Sequence, residues 1–206
     1  MAGRYVWIMR ALHVVLLHGW RGAGSGHWLS WLAGQLRGLG VVVDAPALPA
    51  PELGGWLPVL RASLAAAPPS ADLVVLGHGL GATLWLHHAA GVDGRDRRAH
   101  RVLLVAPPGP GWRHPEVRGL NPPPVDARAM RRAASITRLV AGQGDPYCAR
   151  LDAYGLATGL GVELDLVPGG EHLDEDTGYG PWPEVLAWTL GRAPSLLGAS
   201  PARART

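Results

Sequence analysis

The sequence predicts an α/β domain: a doubly wound, mostly parallel sheet of about six strands flanked by helices. Three observations carry this expectation. Short apolar runs recur along the chain, most of them continuous rather than alternating, as strands buried on both faces require. Helical patterns with three-four apolar spacing separate most of the runs. Glycine-rich turns follow the runs, where a doubly wound sheet places its ligands.

The six predicted strands are Leu12–Leu17, Val41–Ala45, Leu73–Leu76, Val102–Ala106, Ile136–Ala141 and Val162–Leu166. The first helix is the clearest, with Trp28, Trp31, Leu32, Gln35, Leu36 and Leu39 on one face and Gly40 placed to end it. Further helices are expected over Trp56–Ala67, Leu80–Ala90, Tyr147–Leu160 and Trp182–Leu190. Alternation of this kind implies right-handed crossovers. Pro107–Val125 breaks the alternation; rich in proline and glycine, with Trp112 and His114 inside it, it is either a lid or a surface loop. No internal repeat or linker interrupts the chain. One domain over residues 1–192 is expected, followed by a small, polar, basic and mobile tail over 193–206.

Composition narrows the function classes. A chain of 206 residues suits one well-buried domain and is short for two. At 48% apolar and 17% charged residues it is globular. The net charge of +3 comes from arginines scattered among acids, with no basic run to suggest nucleic acid. Arg4 and Arg10 precede an apolar run that faintly resembles a signal peptide. The run ends in His18-Gly19-Trp20 without a small-residue cleavage site, and it is too short to span a membrane. It reads as the first core strand. Cys148 is the only cysteine, so no intrachain disulfide forms and a cytoplasmic setting is expected.

The centre of the chain is Val74-Val75-Leu76-Gly77-His78-Gly79-Leu80-Gly81-Ala82. It reads as a buried strand turning sharply into a helix, the frame of the nucleophile elbow Gly-x-Ser-x-Gly. Gly79 occupies the serine position. Other predicted strand ends carry His18-Gly19-Trp20 with a following His27-Trp28, then Gly142-Gln143-Gly144-Asp145-Pro146-Tyr147, then Gly169-Gly170-Glu171-His172. The last loop continues to Gly178-Tyr179-Gly180-Pro181-Trp182-Pro183. No histidine pair has metal-ligand spacing supported by other ligands, so neither metal nor cofactor is expected.

These ordered motifs, with Val105-Ala106-Pro107-Pro108, resemble the small serine hydrolases of the α/β-hydrolase superfamily related to retinoblastoma-binding protein nine. The resemblance runs from His18 to about Leu190. It implies that Asp145 is the triad acid, His172 the triad base and Gly79 the position of the missing nucleophile. It also implies an oxyanion hole from the backbone N–H of Leu80 and one from the Gly19–Trp20 region. Glu171 departs from the glycine usual before the histidine, and is expected to face solvent. Trp20, Trp112 and Trp182 are expected as an aromatic wall for a small hydrophobic molecule. His18 either stabilises its loop or touches substrate; His78 is read as structural and Cys148 as a bystander.

Without a hydroxyl there is no acyl-enzyme, so the two-step hydrolytic route is closed. The base, its orienting acid and the oxyanion hole remain, and they suit proton removal from a carbon acid or phenol. The leading expectation is therefore a cofactor-free, non-hydrolytic enzyme: carbon–carbon bond formation, cyclisation, addition or elimination, in a secondary-metabolite setting. The alternatives are a serine esterase inactivated at its nucleophile, and a catalytically dead binding protein. Retention of both Asp145 and His172 speaks against the last.

Overall fold

Leu12–Leu17 (β1) shows why the apolar runs are continuous. Successive side chains of a strand point to opposite faces; Val14 and Leu16 enter one core while Val15 and Leu17 enter another. The computed structural model describes residues 11–197. Five more strands follow: β2 (Val42–Asp44), β3 (Asp72–His78), β4 (Ala99–Val105), β5 (Ala134–Gly142) and β6 (Glu163–Val167). All neighbours pair in parallel, in the order β2-β1-β3-β4-β5-β6.

Among the described residues six helices cover this single α/β domain: α1 (Trp28–Gly38), α2 (Leu53–Ala66), α3 (Leu80–Ala90), α4 (Ala127–Ala133), α5 (Arg150–Leu160) and α6 (Pro183–Thr189). Side chains of α1 and α6 fill one core, and those of α2 to α5 the other. The chain order reverses between β1 and β3, whose following helices lie on opposite faces. The crevice between the two loops is the topological switch point of the sheet.

Most element ends differ from the expectation by a few residues, and three larger differences have physical reasons. Helix α4 was hidden by its composition, Ala-Arg-Ala-Met-Arg-Arg-Ala; it is fixed by Asp126, whose Oδ1 accepts from the N–H groups of Arg128 and Ala129. Helix α5 begins at Arg150 rather than Tyr147, because the Asp145 side chain holds the Tyr147 N–H in a turn. Beyond residue 192 the chain comes back to the core at Leu196, and Leu197 is exposed. Buried Asp165 accepts from the Ser195 hydroxyl and the Leu196 N–H, and Leu196 itself is buried. The rest of the expected tail, and the stretch holding Arg4 and Arg10, lie outside the described residues. No described helix is long and apolar enough to cross a membrane.

Candidate active site

The turn from β3 into α3 has the elbow geometry. Gly79 sits at φ 53° and ψ −120°, a backbone region that L side chains rarely adopt. The flanking glycines answer to close backbone approach. A Cβ on Gly77 would stand 2.6 Å from the Gly81 carbonyl oxygen, and one on Gly81 would run into the carbonyl of Leu17. The N–H of Gly79 donates to Val105 O at 2.9 Å, tying the turn to the end of β4. Leu80 opens α3, so its N–H has no carbonyl four residues back within the helix, and the residue lines the crevice at the positive end of the helix dipole.

His172 and Asp145 come from loops after β6 and β5. Nδ1 of His172 lies 3.0 Å from Oδ2 of Asp145, whose side chain is fully buried. The second oxygen, Oδ1, accepts from the Tyr147 N–H at 2.8 Å, so the carboxylate both turns its own loop and orients the histidine. With Nδ1 facing the carboxylate, Nε2 faces the elbow. A Cβ on Gly79 would stand 3.6 Å from that nitrogen. The base is anchored twice more. His78 Nε2 donates to the His172 carbonyl at 3.0 Å, and Trp28 Nε1 donates to the Leu173 carbonyl at 3.0 Å.

A cavity of about 210 Å³ opens over this group. Of the residues expected there, Gly19, Trp20, Gly79, Leu80, Trp112 and His172 line it. Asp145 lies behind His172, out of the lining. Trp182 does not reach the cavity: it is a core residue, 2% exposed, with its ring edge-on to Trp28 and Tyr179. Its place next to Pro183 reads like a loop, but the chain turns inward to start α6. His18 is also withdrawn from the lining. Its Nε2 accepts from the Leu48 N–H, and its ring packs on Trp56.

The segment 107–125 contributes Pro108 and Trp112 to the cavity wall. Asn121 clamps it by donating to the carbonyls of Gly109 and Trp112, and His87 meets the Leu120 carbonyl. Glu171 is exposed to solvent, as its expected role required. Sequence reasoning missed Tyr147, whose ring meets His172 edge-on at 4.6 Å, and the acids Asp174, Glu175 and Asp176. Their signal was proximity: Tyr147 is two residues from the acid, and the three carboxylates begin two residues after the base.

The titratable groups divide by burial. Burial drives His78 well below the usual imidazole range, helped by the neighbouring His172 and His27 rings, each 4.8 Å away between centroids. His27 is likewise held down to about 4, mainly by burial. Both are neutral at pH 7 and neither serves as a proton carrier there. Burial pushes the Cys148 thiol up to about 12, with the Asp145 and Asp152 charges adding to it, so this sulfur is no nucleophile.

Known structures share this architecture. The ydeN gene product of B. subtilis is 22% identical, with a TM-score of 0.76 over 88% of this chain and 98% of its own. A ydeN-like hydrolase from Pectobacterium atrosepticum is 23% identical, with a TM-score of 0.64 over 88% of this chain and 90% of its own. Est1E of Butyrivibrio proteoclasticus, solved with ferulic acid bound, is 14% identical, with a TM-score of 0.60 over 88% of each chain. No curated protein matches the sequence. The serine hydrolase family profile matches residues 14–189, most of the chain, and the protein therefore belongs to the serine hydrolase family.

Proposed function

We propose that this protein is a hydrolase that works without a covalent intermediate, using His172 as general base on water and Asp145 as its orienting acid. The observation that carries the reading is the 3.6 Å between His172 Nε2 and the Cβ position of Gly79, in a chain of the serine hydrolase family. A hydrolase that lost its serine keeps everything else the reaction uses. Water takes the place of the hydroxyl, its oxygen attacks an ester or thioester carbonyl, and its proton passes to Nε2. The N–H groups of Leu80 and Trp20 receive the oxyanion. Collapse breaks the bond to the leaving group, which takes the proton back from His172.

A second reading is proton abstraction from a carbon acid, with the enolate oxygen in the same donor pair. One observation favours it: glycine at position 79 leaves the path from substrate to Nε2 unobstructed. The test is a short-chain ester and thioester panel with the protein and its Gly79→Ser, His172→Ala and Asp145→Asn variants. Ester turnover that needs His172, in a protein silent to fluorophosphonate, supports water activation. Silence toward every ester, before and after serine is introduced, overturns it in favour of carbon-acid chemistry.

A further inference from the structure

Resting on the reading of this cavity as the substrate site, we propose that it takes a small acyl compound bearing a cationic amine. The ammonium is held between the Trp20–Trp112 wall and the carboxylates of Glu175 and Asp176.

The lining is electrostatically one-sided. Asp174, Glu175 and Asp176 face it, against a single guanidinium, Arg21. Asp174 is already engaged, accepting from the N–H and hydroxyl of Thr177. The side chains of Glu175 and Asp176 have no ion-pair partner among the described residues. Glu175 also has a seat made for it. Its carboxylate rests against the loop of Gly24 and Gly26, where a Cβ on Gly24 would stand 2.6 Å from Oε2. Any side chain there would push the carboxylate away from the rim.

The same lining is also aromatic. Trp20 and Trp112 lie 6.3 Å apart between centroids, and Tyr147 meets Trp112 at 6.0 Å. Electron-rich ring faces attract cations, most strongly where water is displaced. Arg21 demonstrates the affinity, its guanidinium 5.3 Å from the Trp20 centroid. No described cation covers the face of Trp112.

His27 supplies an independent sign that a ligand belongs here. It is 4% exposed and lines the same cavity. Its Nδ1 accepts from the Leu29 N–H, so in the neutral ring the proton sits on Nε2. That buried donor has no acceptor among the described residues. A buried N–H without an acceptor is costly, and a ligand oxygen answers it. The cavity therefore asks for an acceptor oxygen and a positive charge on one small molecule.

The test is equilibrium binding by calorimetry, which needs no turnover, with three probes of one size: phenethylammonium, 2-phenylethanol and phenylacetate. Phenethylammonium is expected to bind roughly tenfold tighter than the alcohol and to weaken with added salt. Glu175→Gln combined with Asp176→Asn is expected to erase that preference while leaving the affinity for the alcohol unchanged. Equal affinities, preference for phenylacetate, no binding of any probe at millimolar concentration, or a preference that survives the double variant each overturn the inference. Loss of the hydrolase reading, seen as esters left untouched after Gly79→Ser, leaves a measured ammonium preference standing. Restored esterase activity with equal probe affinities does the reverse.

Discussion

His172 Nε2 and the Cβ position of Gly79 stand 3.6 Å apart, ordinary van der Waals contact, with no other side chain between them. A serine placed there takes on the strained elbow backbone at φ 53°, and its rotamer brings the hydroxyl to the imidazole. Gly79→Ser is therefore expected to create fluorophosphonate labelling and to raise p-nitrophenyl ester turnover by about 10²-fold or more. Mass spectrometry of the labelled protein checks that the adduct is on residue 79.

Asp145→Asn keeps the shape of the acid and removes its charge. The amide reverses the hydrogen-bond demand on Nδ1 and turns the wrong tautomer toward the elbow. In the Gly79→Ser background ester turnover should fall by about 10³–10⁴-fold, with little change in thermal midpoint. A loss below tenfold would deny Asp145 its orienting role.

Glu171 occupies a left-handed backbone position, φ +47°, and its side chain is exposed. Strain at such a residue is relieved by glycine, partly offset by the greater freedom glycine has when unfolded. Glu171→Gly should stabilise the fold by about 0.5–1 kcal/mol in urea titration. A destabilisation would mean that the carboxylate makes a contact that matters.

Stability should fall steeply between pH 6.5 and pH 4. His27 and His88 are both lowered to about 4 and His78 lies well below the usual range, all chiefly through burial. In each case the unfolded state binds the proton first, so the contribution is complete above the unfolded value near 6.5. It is lost as pH drops through the window, by up to about 1.4 kcal/mol per pH unit for each histidine. Urea midpoints measured across this range check the slope, and a flat profile would contradict the neutral burial of these rings.

Cys148, with its thiol pushed up to about 12, should resist iodoacetamide at pH 8 while the chain is folded and react readily in denaturant. Intact-mass kinetics distinguish the two states.

Much of the fold was legible because burial writes itself into apolar runs. Leu12–Leu17 matches its strand end to end, and Leu80–Ala90 its helix. What escaped was structure fixed by single polar contacts: α4, set by its Asp126 cap, and the late start of α5, set by Asp145. In the site, the resemblance named Asp145 and His172 from two separate loops, and the structure brings them within 3.0 Å of each other. Trp182 was misread because neither its proline neighbour nor its apolar ring says whether it turns outward or inward. The non-hydrolytic chemistry expected from the missing hydroxyl has less support than the hydrolase alternative, since family membership follows the whole chain and the hydroxyl is one atom of it.

The bond from His78 Nε2 to the His172 carbonyl holds the shape of the site without any side chain at position 79. It joins elbow to base through groups that position 79 does not supply, so the base keeps its place whichever residue stands there. A glycine codon GGC or GGT lies one base from a serine codon. Glycine and serine at position 79 are therefore one substitution apart, and either one meets the same base held by the same loops.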